Sequence, residues 1–260
     1  MLFYEHRNNM LRIIMHGCNG RMGQAITRLV KEENDMQIVA GIDPFDGVLN
    51  DYPVYKSIAE CDIEADVVID FAFANAVDGL LDYCLSKKLP IVLCTTGLSE
   101  EQMGRVKEAS KEIAILKSAN MSLGVNLLIK LLKGAAPVLG NAGYDIEIVE
   151  QHHKMKKDAP SGTALALADA INESLDNKYT YVYDRTGRSE ARRENEIGIS
   201  AVRGGTIVGI HDVIFAGEDE VITLNHTAYS RAIFAKGALT AAKFLASKAP
   251  GYYDMQDVIA

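Results

Sequence analysis

A short β-rich run, Arg12–Met15, leads straight into His16-Gly17-Cys18-Asn19-Gly20-Arg21-Met22-Gly23, and the segment behind it has helical spacing. No other feature constrains the fold as strongly. Met22, Ala25, Ile26, Leu29 and Val30 fall at i, i+3, i+4, i+7 and i+8, one face of a helix. A strand, a glycine-rich turn and an amphipathic helix in that order begin a parallel βαβ unit. The turn fits G-x-x-G-x-x-G rather than the common G-x-G-x-x-G, so its middle glycine is displaced by one position. Residues without a Cβ let backbone N–H groups approach a pyrophosphate, and the helix N-terminus adds its dipole. Asn19, which tolerates the left-handed conformation, can stand in for the missing glycine. A bare structural turn would use the same glycines, so context has to decide. Asp43 lies 20 residues beyond Gly23 at the end of the second strand, where an acid that binds ribose hydroxyls belongs. A plain turn acid before Pro44 is the alternative reading.

The alternation of strand and helix continues. Strands are predicted at Arg12–Met15, Gln37–Ile42, Val67–Phe71, Ile91–Cys94 and Ile113–Leu116. Val77, Leu80, Leu81, Cys84 and Leu85 mark one intervening helix, and Ser99 with Gln102 reads as a capping box opening another. Right-handed crossovers then give a Rossmann-like, doubly wound parallel sheet in an α/β domain. Ligands of such sheets sit at the carboxyl ends of the strands. Thr95, Thr96 and Gly97 end the fourth strand, and Ala119, Asn120 and Met121 follow the fifth. Both segments are candidates for the same cofactor, with ordinary turn chemistry as the alternative.

After about Gly124 the pattern changes. A Leu-rich helical stretch runs to Leu132, Asp145–Glu150 alternates like a strand with one wet face, and a helix is expected over Ala164–Leu175. Strands follow at Ile197–Val202, Ile207–Phe215 and Val221–His226, so a second α+β domain with an open mixed sheet is predicted. The last helix, with Ile233, Phe234, Leu239, Ala242 and Leu245, is expected to return to the first domain. The division is therefore 1–123 with 232–260, against 124–231, with residues 1–9 a possible extension.

The second domain holds Glu150-Gln151-His152-His153-Lys154-Met155-Lys156-Lys157-Asp158-Ala159-Pro160-Ser161-Gly162-Thr163, between a strand end and a helix start. Lysines offer charge, Ser161 and Thr163 offer donors at a helix N-terminus, and an imidazole titrates near neutral pH. Together they could hold a carboxylate beside a proton donor. A solvated charge run with incidental histidines is the alternative. Metal is not expected, because adjacent histidines point apart and no third ligand lies at zinc spacing.

With 35 acidic against 27 basic residues the net charge is -8, the wrong sign for nucleic acid or an anionic membrane. The four cysteines are scattered, which argues against disulfides, and no run of ~18 apolar residues is evident, so the cytoplasm is expected.

Glu150–Ala164 matches E-x-H-H-x-x-K-x-D-A-P-S-G-T-A at each fixed position. With Gly17–Gly23, Thr95-Thr96-Gly97, Ala119–Asn126 and Ser230–Ala238, the chain resembles the 4-hydroxy-tetrahydrodipicolinate reductase family from Met10 onward. The resemblance implies an oxidoreductase of the diaminopimelate route to lysine that uses NADH or NADPH on a small dicarboxylate. It implies His152 as general acid with Lys156 as its partner. His153, Lys156, Ser161, Gly162, Thr163 and Arg231 would hold carboxylates, and Gly17, Asn19, Gly20, Arg21, Met22, Gly23, Asp43, Thr95–Gly97 and Ala119–Met121 the dinucleotide. It also implies a homotetramer built through the second sheets. The chain departs from the family's pattern in three places. Asp43-Pro44 stands where many members have an acid followed by arginine, Gly209-Ile210-His211 replaces Gly-Glu-His, and Met121 replaces a phenylalanine. One cation that could meet a 2′-phosphate is therefore absent, although Arg21 remains, and Asp43 favours free ribose hydroxyls, so NADH is expected to serve at least as well as NADPH. Two rival readings are a related reductase of another keto or amino acid and a redox-sensing protein that only reads cofactor ratio.

Overall fold

The computed structural model describes residues 10–260, and the extension considered at Met1–Asn9 lies outside them. The chain forms two units, one running up to Met121 together with Phe234–Ala260, the other Ser122–Ile233.

In the first unit, β1 (Leu11–His16), α1 (Arg21–Val30) and β2 (Met36–Ile42) make the opening βαβ unit. They are followed by β3 (Val54–Tyr55), β4 (Val67–Asp70), α2 (Val77–Lys87), β5 (Ile91–Leu93), α3 (Glu100–Ala109) and β6 (Ala114–Leu116). The sheet order is β3-β2-β1-β4-β5-β6 with a seventh strand, β12 (Gly251–Tyr253), beside β6, and every pairing is parallel. The strands read as nearly unbroken apolar runs because both faces are covered. Ile13 and Met15 pack with α1 and with α6 (Ala232–Leu245) on one face, while Ile14 packs with α2 and α3 on the other. Such layering is the doubly wound arrangement the sequence predicts. Ser99 caps α3 in the expected box with Gln102, and a short helix, α7 (Met255–Val258), ends the chain.

The second unit holds α4 (Leu123–Asn141), β7 (Asp145–His152), α5 (Gly162–Glu173), β8 (Thr180–Val182), β9 (Glu196–Arg203), β10 (Gly209–Ala216) and β11 (Val221–Ala228). Its sheet runs β11-β10-β7-β9-β8, antiparallel on the β10 side and parallel on the β9 side. This is an open mixed sheet, as expected. Leu128, Leu132 and Ala136 of α4 and Leu167, Ala168 and Ile171 of α5 cover one face over Ile146, Ile148, Ile197, Ile199, Val213 and Phe215. The helix expected to end at Leu132 continues to Asn141, through Gly134 and Pro137, because the i+4 row Leu128, Leu132, Ala136 keeps burying against the sheet. By length and mean hydropathy alone α4 would suffice to cross a bilayer, against the expectation that no segment would. In the fold its apolar row covers this sheet, and Lys133 pairs with Glu173 of α5.

Candidate active site

The glycine-rich turn follows directly from β1. Gly17 sits at φ +82°, and a Cβ there would come within 2.7 Å of the Phe71 carbonyl oxygen, while one on Gly23 would overlap the Gly17 carbonyl. Gly20 is the N-cap of α1, so the helix amides open onto the turn. Asn19 does not take the left-handed conformation expected of a stand-in for the missing glycine, since the non-glycine residues with positive φ among those described are Lys88, Asp176 and Asn177. It holds the turn through hydrogen bonds instead, its side chain donating to the Phe45 carbonyl at 2.5 Å and its N–H to Asp43 Oδ2 at 2.9 Å. Phe45 N–H meets Asp43 Oδ1 at 3.0 Å, so both carboxylate oxygens are fixed.

Gly17, Asn19, Gly20 and Asp43 line one cavity of about 410 Å³, together with His16 and Phe73 among others. Arg21, Met22 and Gly23 form the first turn of α1 beside it. Thr95–Gly97 and Ala119–Met121 stand beyond the ends of β5 and β6 and do not line this cavity. Thr95 is buried, its N–H on Asp70 and its hydroxyl on the Ala72 carbonyl, and Met121 packs into the core. The sequence reading missed a buried pair here: His16 Nδ1 lies 2.8 Å from Asp70 Oδ1. The two residues are 54 apart in the chain and meet because β1 and β4 run side by side in register.

In the second unit the site grows out of strand periodicity. Along β7 every second residue faces the helices, beginning with Ile146 and Ile148 and ending with Glu150 and His152. The apolar face thus becomes polar at the carboxyl end of the strand. The register sets Arg203 opposite His152, His211 opposite Glu150 and His226 opposite His211, all on that face.

Glu150 is the centre of this corner and is fully buried. Its Oε2 meets His152 Nδ1 at 2.6 Å and its Oε1 accepts the Ser161 N–H at 2.9 Å. Arg203 spans both oxygens at 2.7 Å. Burial works against ionisation, but Arg203, His152 and the Ser161 N–H outweigh it and hold the Glu150 carboxyl below the usual range. His152 is pushed down by burial, which outweighs the Glu150 attraction, with Lys156 and Arg203 adding to the effect. His211 lies edge-on to His152, ring centroids 5.2 Å apart, and shares a 3.0 Å hydrogen bond with Ser161 Oγ. Burial brings His211 down to about 4, helped by the neighbouring His152.

Ser161 caps α5, accepting the Ala164 N–H, and Gly162 and Thr163 form the first turn behind it. Lys156 pairs with Asp158 at 2.7 Å, its side chain one-fifth exposed, in the loop that also holds the half-buried His153. Arg231 is exposed just before α6. His152, Ser161 and the start of α5 are therefore joined through Glu150, while Lys156 reaches the group through Asp158, whose carbonyl accepts from Arg203 at 2.6 Å. Among the described residues no cluster of histidine, cysteine and carboxylate is arranged to hold a metal.

Two family models meet close to the first boundary between the units, after Met121, although the second model runs on through the returning tail. One described as the N-terminus of dihydrodipicolinate reductase matches residues 11–121, and one described as its C-terminus matches residues 124–259. A 4-hydroxy-tetrahydrodipicolinate reductase of Caldanaerobacter subterraneus subsp. tengcongensis is 57% identical, covering 96% of this chain and 98% of its own. One from Clostridium tetani is 50% identical over 95% and 96%. Among solved structures, a dipicolinate-bound dihydrodipicolinate reductase from Paenisporosarcina sp. TG-14 superposes with a TM-score of 0.80 at 25% identity, over 95% of this chain and 99% of that one. On sequence along its whole described length and on fold, the chain belongs to the dihydrodipicolinate reductase family.

Proposed function

We propose that this protein reduces 4-hydroxy-tetrahydrodipicolinate to tetrahydrodipicolinate with NADH or NADPH, in the diaminopimelate route to lysine. The observation that carries the reading is the corner of the second sheet where His152, with Nδ1 committed to Glu150, stands beside the N-terminus of α5 and a lysine-bearing loop. A reduced nicotinamide supplies the hydride when bound. The turn at Gly17–Gly23 fits such a dinucleotide, because Gly17 and Gly23 let the turn pack tightly against Phe71 and the start of α1, and the α1 amides open onto it. Asp43 receives ribose hydroxyls. The cavity lining includes Asp43 and Asp46 and neither lysine nor arginine, and Lys56 near Pro44 is already paired with Asp46. A 2′-phosphate would therefore meet two acids, with Arg21 at the start of α1 as the cation beside them, and NADH is expected to show a KM no higher than that of NADPH.

In the second unit, Ser161, Gly162 and Thr163 offer the donors and dipole of a helix start to one carboxylate, with His153, Lys156 and Arg231 supplying further donors and charge. His152 donates a proton from Nε2, since Nδ1 is held by Glu150. Lys156 assists that transfer. A dianionic substrate bound beside His152 raises its proton affinity again, which offsets the effect of burial. Activity needs the protonated ring, so kcat falls as pH rises through the His152 titration. The protein is proposed to act in the cytoplasm as a homotetramer.

The test generates the substrate in situ from pyruvate and aspartate semialdehyde with a condensing enzyme and follows oxidation of each reduced cofactor. His152→Gln should bind NADH normally yet turn over roughly 10²-fold more slowly. Full turnover in that variant would remove His152 from the chemistry, and no oxidation of either cofactor would refute the proposed reaction.

A further inference from the structure

Arg203 ends β9 on the same sheet face as Glu150 and opposite His152 in the parallel register. Its Nη1 donates to the Glu150 oxygen that also holds His152 Nδ1, and its Nη2 donates both to the other oxygen and to the Asp158 carbonyl. One guanidinium therefore fixes the carboxylate behind the imidazole and ties down the loop that carries Lys156. A planar fork with five donors can make these bonds at once, which an ammonium cannot. Among the described residues, a second dense arginine–carboxylate network, Arg185, Arg188 and Arg192 on Glu147 and Glu196, pairs with no histidine.

We propose that Arg203 is a positioning residue for proton donation, holding Glu150 as a committed acceptor and sharing that carboxylate's charge so that His152 releases its proton to the substrate. The proposal rests on His152 being the acid. In a pair formed by Glu150 and His152 alone, the whole carboxylate charge would act on the imidazole and retain the proton. Arg203 takes up part of that charge and adds a positive charge of its own. The other titratable groups facing His152 are Glu150 on its own strand, His211 from β10, which burial keeps neutral, and Lys156 from the loop, and α5 contributes the uncharged Ser161 cap toward Glu150. Removing Arg203 alone leaves these in place.

Arg203→Gln and Arg203→Lys are compared with the unaltered protein and with His152→Gln. The His152 ring is titrated by nitrogen-detected NMR, which reads its proton affinity independently of turnover. In Arg203→Gln the midpoint is expected to rise by about one pH unit. The alkaline limb of the kcat profile should move the same way, and kcat at its plateau should fall roughly ten- to a hundredfold, with the KM for NADH unchanged. Arg203→Lys keeps the charge, so its midpoint should lie near that of the unaltered protein, while kcat stays low because the fork is lost. An unmoved midpoint in a folded Arg203→Gln protein overturns the proposal. If that variant does not fold, Arg203→Lys decides alone, and full kcat there overturns it. Failure of the acid assignment looks different: His152→Gln would keep full turnover whatever the midpoint does in the Arg203 variants.

Discussion

His211 is a titratable ring placed where its charge cannot be hydrated, and the cost of charging it should be visible in the stability of the protein. Its pKa is brought down to about 4 by burial and then by His152, against an unfolded value of roughly 6.5. Because the folded pKa is the lower one, the native state excludes a proton that the unfolded chain accepts. The resulting stabilisation is complete above about pH 6.5 and is lost as pH falls toward about 4, amounting to about 3 kcal/mol. Urea unfolding at a series of pH values should show His211→Asn losing that much less than the unaltered protein between pH 7 and 4. Parallel curves for the two would contradict the assignment. At this scale the sequence was legible only in part. His152, Lys156 and Ser161 share one motif and could be nominated together. Arg203 was not singled out, and His211 entered only within Gly209-Ile210-His211 without a role, because they lie 53 and 50 residues from their partners Glu150 and Ser161 and strand register brings them in.

Elements were legible where burial leaves a pattern. The parallel strands β1, β2, β4 and β5 are shielded on both faces, so their apolar runs predict their positions to within a residue or two. β3 and β12, with two and three residues, are too short to carry a period, and they join the sheet because their neighbours present free edges. Helix α4 outruns the Leu-rich stretch that ends at Leu132 and passes through Gly134 and Pro137, because packing overrides propensity here. Two glycines separate these influences. Gly237 in α6 is so close to the chain that a Cβ would overlap the Met121 carbonyl, while Gly134 in α4 has nothing within 4 Å of such a Cβ. Gly237→Ala is therefore expected to destabilise the protein by about 1–3 kcal/mol or more. Gly134→Ala should stabilise it by roughly 0.5–1 kcal/mol through helix propensity. Denaturant melts of both variants test this. A neutral Gly237→Ala would mean that α6 can move away from Met121 at no cost.

For the whole molecule, the face of the second sheet opposite α4 and α5 bears on assembly. Val149, Val202, Ile210 and Ile214 lie on it by register, interleaved with Gln151, Asp212, Ser200 and Thr223, and Val202 is 45% exposed. An apolar patch on an open sheet is a liability for a lone chain and an asset for an assembly, since a second copy of the same sheet can cover it. Periodicity made the face legible as a strand surface with one wet side. What covers it was not legible, because the alternation of Ile210, Asp212 and Ile214 is as consistent with solvent as with a partner of mixed polarity. The homotetramer proposed for the family member described here is therefore testable at one central position. Ile214→Lys should leave the circular dichroism spectrum unchanged, because the side chain points away from the core formed by Val213 and Phe215. Sedimentation equilibrium should find a tetramer for the unaltered protein and smaller species for the variant, since burying a lysine between sheets costs several kcal/mol when the carboxylate opposite it, Glu147, is already paired with Arg185 and Arg192. A monomeric unaltered protein, or a variant that remains tetrameric, would show that assembly does not run through this face.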